Sequence, residues 1–115
     1  MKKILSICTV FTALMIMVET HAASFNCNKA QTSTEHRICN TLSLNDADVK
    51  MVTTYNIVRR LVPMGTRSEI RAEQVRWLEL RDECQDNIEC LKHVYEMRQQ
   101  KLDMYMDRVY RQGPF

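Results

Sequence analysis

Apolar residues recur at helical spacing in four stretches of the chain, and no strand-like alternation of useful length is present. Gly and Pro are scarce, so the few that occur mark clear breaks between the stretches. The predicted helices are Ser33 to about Cys39, Ser43 or Asn45 to about Val62, Ser68 to Cys84, and Ile88 to Arg111. The pattern therefore predicts an all-α domain, with a short N-terminal helix followed by an antiparallel bundle of three helices.

Local signals indicate where these helices begin. The run Thr32-Ser33-Thr34-Glu35 matches a capping box ahead of the first helix. The second helix is expected to end at Pro63-Met64-Gly65, and Ser68 is the predicted N-cap of the third. A short polar link, Gln85-Asp86-Asn87, precedes the fourth.

Two arginines fall on stripes that should face the core. Arg81 lies in line with Gln74 and Trp77, and Arg98 lies in line with Tyr95. A buried guanidinium needs a carboxylate, a backbone carbonyl or an aromatic face. We expect a network in which Arg81 or Arg98 pairs with Asp48 or Glu73 and stacks near Trp77 or Tyr95. The alternative is that an arginine is presented to a partner's carboxylates. Structural roles are accordingly expected for Asp48, Tyr55, Gln74, Trp77, Arg81, Tyr95 and Arg98, with Gln74 bonding a helix end or loop backbone.

The first 22 residues have the form of a secretory signal peptide. Lys2 and Lys3 precede an apolar run from Ile4 to Val18, and Thr20-His21-Ala22-Ala23 is a small-residue cleavage site, cut after Ala22 or Ala23. The run of about 15 residues is shorter than the roughly 20 that span a bilayer as a helix. Residues 23–115 are therefore predicted to form a single exported domain that does not cross the membrane. Leu5-Ser6-Ile7-Cys8 does not fit a lipid-attachment box.

Charge excludes one class of partner. Removing residues 1–22 reduces 16 basic and 14 acidic residues to 14 and 13, a net charge of +1. Nucleic-acid-binding domains carry a strong basic excess, so no nucleic acid is expected as a partner.

Four cysteines remain in the exported chain, and two disulfides are the expected outcome in an oxidising compartment. The pairing Cys27–Cys39 and Cys84–Cys90 needs no long reach, but it is one of three connectivities. The alternative is that the cysteines bind a metal ion, because His36-x-x-Cys39 and Cys90-x-x-His93 each place two ligands one helical turn apart. A redox dithiol is disfavoured, since the chain has no Cys-x-x-Cys.

Catalytic side chains are few. After residue 22 the histidines are His36 and His93, and no Ser, His and Asp set can be placed on the predicted helices. We therefore predict that the protein is not an enzyme and uses no cofactor.

A longer pattern runs through almost the whole exported chain. It comprises Ser24-Phe25-x-Cys27, Glu35-x-x-Ile38-Cys39, Leu44, Asp48, Tyr55, Glu73-Gln74-x-x-Trp77-x-x-x-Arg81-Asp82-x-Cys84, and Cys90-Leu91-x-x-x-Tyr95-x-x-Arg98-x-x-x-Leu102. This pattern resembles the lysozyme inhibitor LprI-type N-terminal domain family. The resemblance implies a small, helical, disulfide-bonded domain exported by bacteria, with lysozyme inhibition as its named activity. The chain departs from the family in having Ala47 where leucine is common, and a link before Cys90 without glycine.

Two surfaces are candidates for recognition. The first is an acidic corner around the second cysteine pair, formed by Asp82, Glu83, Asp86 and Glu89, which could meet a cationic lysozyme. The second is the turn from Val62 to Ser68, where Met64, Thr66 and Arg67 could enter an enzyme cleft. The leading hypothesis is a periplasmic or secreted inhibitor that covers the cleft of a host or environmental lysozyme. The alternative is an interaction module that binds an envelope protein in stress adaptation or virulence, with no inhibitory role.

Overall fold

The computed structural model describes residues 23–113, so the predicted signal peptide lies outside the described residues. A 3-10 turn at Cys27–Lys29 leads into four α-helices. They are α1 (Ser33–Asn40), α2 (Leu42–Leu61), α3 (Met64–Glu83) and α4 (Ile88–Gln112). Residues 23–113 contain no strand, and the all-α prediction is confirmed.

Side-chain caps explain the starts of α1 and α4. Thr32 Oγ1 accepts a hydrogen bond from the backbone N–H of Glu35 at 3.1 Å, as the capping box predicts. Asn87 Oδ1 accepts one from the backbone N–H of Cys90 at 2.9 Å. Both caps satisfy amide groups that have no partner within the helix.

The predicted start of α3 at Ser68 is wrong. The helix begins four residues earlier at Met64, with Pro63 as its N-cap. Ser68 lies inside the helix, where its hydroxyl donates to the carbonyl of Met64 at 3.2 Å. Proline is tolerated at a helix start because the first N–H groups have no intrahelical partner. Pro63 therefore opens α3 as well as terminating α2, and no long turn separates the two helices.

Hydrogen bonds between α2 and α4 show that these helices run in the same direction. The hydroxyl of Tyr95 donates to Asp48 at 2.7 Å. Further along both helices, the amide of Gln99 donates to the hydroxyl of Thr54 at 3.0 Å. Residue numbers rise together along this contact, which makes α2 and α4 parallel neighbours.

Helix α3 is antiparallel to both α2 and α4. Trp77 contacts Val94, whereas Gln74, nearer the start of α3, contacts Arg98, further along α4. Helices α2, α3 and α4 thus alternate in direction, and the predicted antiparallel three-helix bundle is confirmed.

The core lies along the axis of the bundle and is closed at one end by α1. Its members come from all four helices and are almost wholly withdrawn from solvent. They include Ile38, Leu44, Met51, Val58, Ile70, Trp77, Leu91, Tyr95, Leu102, Tyr105 and Val109. Burial of these apolar side chains is the main stabilising contribution to the fold.

Candidate functional site

Both disulfides lie at one end of the bundle, called here the disulfide-bearing end and comprising residues 23–40 and 84–90. Cys27 is bonded to Cys39 and Cys84 to Cys90, which confirms the pairing expected from their spacing. Because all four sulfurs are consumed in disulfides, the cysteines cannot serve as the thiolate ligands of the alternative metal site. Within residues 23–113, no three His, Cys, Asp or Glu side chains are grouped as metal ligands.

A contact between α1 and the link before α4 joins the two cross-linked segments. The Nε of Arg37 donates to the backbone carbonyl of Asp86 at 3.0 Å. Its guanidinium also lies 3.7 Å from the Asp86 carboxylate. The first disulfide holds α1 to the N-terminal segment, and this contact then connects that unit to the α3–α4 link.

The acidic corner predicted at this end is partly neutralised by neighbouring basic side chains. Asp82 accepts from Arg81, Asp86 pairs with Arg37, and Glu89 lies 3.8 Å from Lys92. Glu89 is nevertheless 88% exposed at its side chain, and Glu83 is exposed as well. The carboxylates most available to a partner are therefore Glu83 and Glu89 rather than Asp82 and Asp86.

The second predicted surface is helical, not a turn. Met64 is the first residue of α3 and is 80% exposed. Thr66 and Arg67 belong to the same opening turns of the helix and are half-buried. These side chains are therefore presented by the first turns of α3 and not by a turn between helices.

Asp48 is a buried carboxylate of α2 that contacts the N-terminal segment of the disulfide-bearing end. The residue is 1% exposed, and its two oxygens accept from the Tyr95 hydroxyl at 2.7 Å and from the backbone N–H of Ser24 at 2.8 Å. Burial, and secondarily the Asp48 charge, raises the pKa of Tyr95 well above its ordinary range. Asp48 thereby ties the N-terminal segment and α4 to α2.

Arg98 is buried among polar groups of α3. It is 4% exposed, and it donates to Gln74 Oε1 at 2.9 Å, to Glu73 Oε2 at 3.2 Å and to the carbonyl of Ile70 at 3.4 Å. The Tyr105 hydroxyl donates to the other Glu73 oxygen at 3.1 Å. Arg98 thus takes Glu73 as its carboxylate, and it is not presented to a partner.

The expected partner of Gln74 is wrong, and Arg81 takes a carboxylate that was not among the expected ones. Gln74 accepts from Arg98 and places its amide nitrogen 3.4 Å from the sulfur of Met51, instead of bonding a helix end or loop backbone. Arg81 donates from Nε and a terminal nitrogen to Asp82, at 3.0 and 2.8 Å, instead of to Asp48 or Glu73. Arg81 itself is only 7% exposed, and it also interacts with the side chain of Tyr95.

Three aromatic side chains with expected structural roles lie in the core or at its rim, namely Trp77, Tyr95 and Tyr55. The rings of Trp77 and Tyr95 meet edge to face with centroids 5.0 Å apart. Tyr55 is half-buried and holds the guanidinium of Arg59 5.7 Å from its ring centroid.

A groove between α2 and α3 is a feature that the sequence analysis missed. It has a volume of about 460 Å³ and reaches the N-terminal segment and α1. Its lining residues are Ser24, Phe25, Glu35, Asp48, Met51, Val52, Tyr55, Asn56, Gln74, Leu78 and Arg81. A largely apolar wall with a few buried polar groups is typical of ligand and peptide sites. Val52 and Leu78 lie next to the core-facing stripes of their helices. Apolar residues in such positions are the feature of the sequence from which the groove could have been predicted.

Comparison with known proteins gives no match: no family model, curated protein or solved structure is similar to this chain. The fold and the site define a small helical domain with two disulfides. In the described part of the chain, no helix has both the length and the apolar character needed to cross a membrane. The disulfides are typical of proteins that fold in an oxidising compartment outside the cytoplasm.

Proposed function

We propose that the protein is an exported binding domain, periplasmic or secreted, that inhibits lysozyme by covering its catalytic cleft. Lysozyme is named as the target because the sequence resembles the lysozyme inhibitor LprI-type family. The observation that carries the proposal is the disulfide-bearing end, where two cross-links and the Arg37–Asp86 contact hold an exposed surface in one conformation. A preorganised surface binds with a smaller loss of conformational entropy than a flexible one.

The distribution of charge supports the same end as the contact surface. In residues 23–50 and 74–97, which form the half of the bundle nearest the disulfides, acidic residues outnumber basic ones. The balance reverses in residues 51–73 and 98–113. A cationic lysozyme would be steered toward the acidic half, even though the net charge of the whole chain is close to zero.

Charge reversal at the two most available carboxylates tests this proposal. The variant Glu83→Lys with Glu89→Lys should weaken inhibition of a lysozyme panel by the oxidised, processed protein, because it removes the acidic surplus at that end. Asp103→Lys with Asp107→Lys makes the same charge change at the far end of α4 and should leave inhibition unchanged. Absence of inhibition by folded, oxidised wild-type protein at micromolar excess would refute the proposed activity.

The groove between α2 and α3 favours a second candidate function, an interaction module that binds a protein of the cell envelope. Its apolar lining, including Val52 and Leu78, could accommodate side chains of a partner. A photo-crosslinking residue at Leu78 should capture a defined envelope protein in living cells. The same probe at Val75, which is exposed on α3 outside the groove, should capture much less of it. Equal capture at both positions would argue against the groove.

A further inference from the structure

The carboxylate of Asp48 is buried, and its two hydrogen-bond donors are both formally neutral. They are the hydroxyl of Tyr95 and the backbone N–H of Ser24. A buried carboxylate is costly unless a positive charge or several strong donors compensate it. The environment of Asp48 therefore favours a cation at one of its oxygens.

The described neighbouring elements supply no cation that bonds directly to Asp48. Glu35 of α1 lines the same groove and carries the wrong sign. Arg81 of α3 also lines it, but two of its guanidinium nitrogens are bonded to Asp82. Arg81 also interacts with Tyr95, so its charge reaches Asp48 through the Tyr95 hydroxyl and not by a bond of its own. Tyr95 of α4 is neutral at physiological pH. Among these described neighbours, none donates a positively charged hydrogen bond to Asp48.

We propose that removal of the signal peptide creates the missing cation, an α-ammonium group at Ala23 or Ser24 that pairs with Asp48. The inference rests on the export proposed above. The nitrogen of Ser24 lies 2.8 Å from Asp48 Oδ2, and Ala23 is buried beside it. Cleavage at either predicted site places the new terminus at this nitrogen or one residue before it.

The chemistry of cleavage supplies the charge directly. Hydrolysis breaks one peptide C–N bond, and the hydroxyl of water goes to the carbonyl carbon of the departing signal peptide. The hydrogen of that water goes to the nitrogen, which becomes an amine and takes up a further proton from solvent at neutral pH. A neutral amide is thus replaced by an ammonium group at the edge of the Asp48 site.

This pairing links processing to stability. Before cleavage, the buried carboxylate has only neutral donors, so the folded state of the precursor is less stable than that of the processed chain. Such a difference suits an exported protein, because a precursor must remain unfolded during translocation. The processed chain would gain its full stability only after it has been released from the signal peptide.

The decisive experiment uses processed protein prepared with a free amino terminus at Ala23 or at Ser24, each with and without Nα-acetylation. Acetylation removes the charge and keeps an N–H donor. In at least one of the two forms it should shift the unfolding equilibrium toward the unfolded state on the order of tenfold. In the Asp48→Asn background the shift should fall below about twofold, because the charged partner is gone. The same shift in both backgrounds, or no shift in either wild-type form, would overturn the inference.

A second measurement decides the matter if Asp48→Asn does not fold. The pKa of the α-amino group, measured by NMR in the wild-type protein, should lie above the ordinary value of about 7.7–8.0. A pKa within that ordinary range in both forms would overturn the inference. Neither measurement involves lysozyme or export, so failure here is distinguishable from failure of the proposed function.

Discussion

The indole nitrogen of Trp77 donates to the backbone carbonyl of Val94 at 2.9 Å, which joins α3 to α4 by a side-chain to main-chain bond inside the core. Trp77→Phe keeps an aromatic ring there but removes the donor and part of the packed volume. We expect a loss of about 1–3 kcal/mol in the free energy of unfolding, measured by denaturant titration. Val75→Ala, on the exposed side of α3, should change it by less than about 0.5 kcal/mol. Equal effects would show that the bond is unimportant.

Arg98 is expected to act through the geometry of its guanidinium and not through charge alone. Arg98→Met leaves Gln74 Oε1 without its donor and Glu73 with only the hydroxyl of Tyr105, and should reduce the free energy of unfolding by about 3 kcal/mol. Arg98→Lys retains the charge but cannot reach three acceptors at once, so it should recover less than half of that loss. Arg76→Met on the exposed surface serves as the control. Full stability of Arg98→Lys would contradict the argument.

The start of α3 at Met64 can be tested by two small substitutions. Gly65 has no positive φ, and a methyl group added to it would meet nothing within 4 Å. Gly65→Ala should therefore stabilise the protein by about 0.5–1 kcal/mol, because alanine loses less backbone entropy in a helix. Ser68→Ala should cost less than about 0.5 kcal/mol, whereas loss of a true N-cap costs about 1 kcal/mol. Thermal unfolding of both variants distinguishes the two helix starts.

Stability should fall at alkaline pH because of Tyr95. The pKa of Tyr95 is raised in the folded state by burial and by the Asp48 charge, so the folded protein holds this proton more tightly than the unfolded chain. The contribution of the protonated Tyr95 hydroxyl to the free energy of unfolding is complete below the pKa of about 10 in the unfolded chain. It is lost progressively as the pH rises above that value. Tyr95→Phe should flatten this dependence while lowering stability at pH 7. Tyr110→Phe, at an exposed position, should leave the dependence unchanged.

The two disulfides should contribute unequally. Their cysteines are separated by 12 and by 6 residues, and a cross-link that closes a longer loop restricts the unfolded chain more. Replacing Cys27 and Cys39 by serine should cost about 3 kcal/mol, and replacing Cys84 and Cys90 about 2 kcal/mol. Denaturant titration of the two double variants checks the order. The reverse order would show that contacts in the folded state outweigh loop closure.

Much of the fold was predictable because its causes are local. The capping residues Thr32 and Asn87 act within one turn of the helices they begin. In α4, the spacing of apolar residues predicts which face of the helix is buried. The start of α3 was mispredicted because Ser68 and Pro63 are both acceptable helix starts. Val62 and Ile70, on either side of this stretch, are both buried in the core, and such tertiary packing is not visible in the local signals.

Less of the candidate site could be predicted, because it depends on distances between helices. Arg81 had several carboxylates within possible reach, and sequence spacing does not rank Asp82 above Asp48. The α2–α3 groove arises where Val52 and Leu78 face each other across two helices. The pairing of Arg37 with Asp86, 49 residues away, likewise follows from the tertiary arrangement alone.

The parallel arrangement of α2 and α4 has a consequence for the electric field of the molecule. Peptide dipoles of two parallel helices add, and the single opposed helix α3 cancels only one of them. The uncancelled dipole places partial positive charge at the disulfide-bearing end and partial negative charge at the other. The side-chain charges have the opposite polarity, with the acidic surplus at the helix starts of α2 and α4 and the basic surplus at their ends. The side-chain charges therefore partly cancel the field of the helix dipoles and stabilise the helix ends. Charge reversals at either end should alter helix stability as well as partner binding.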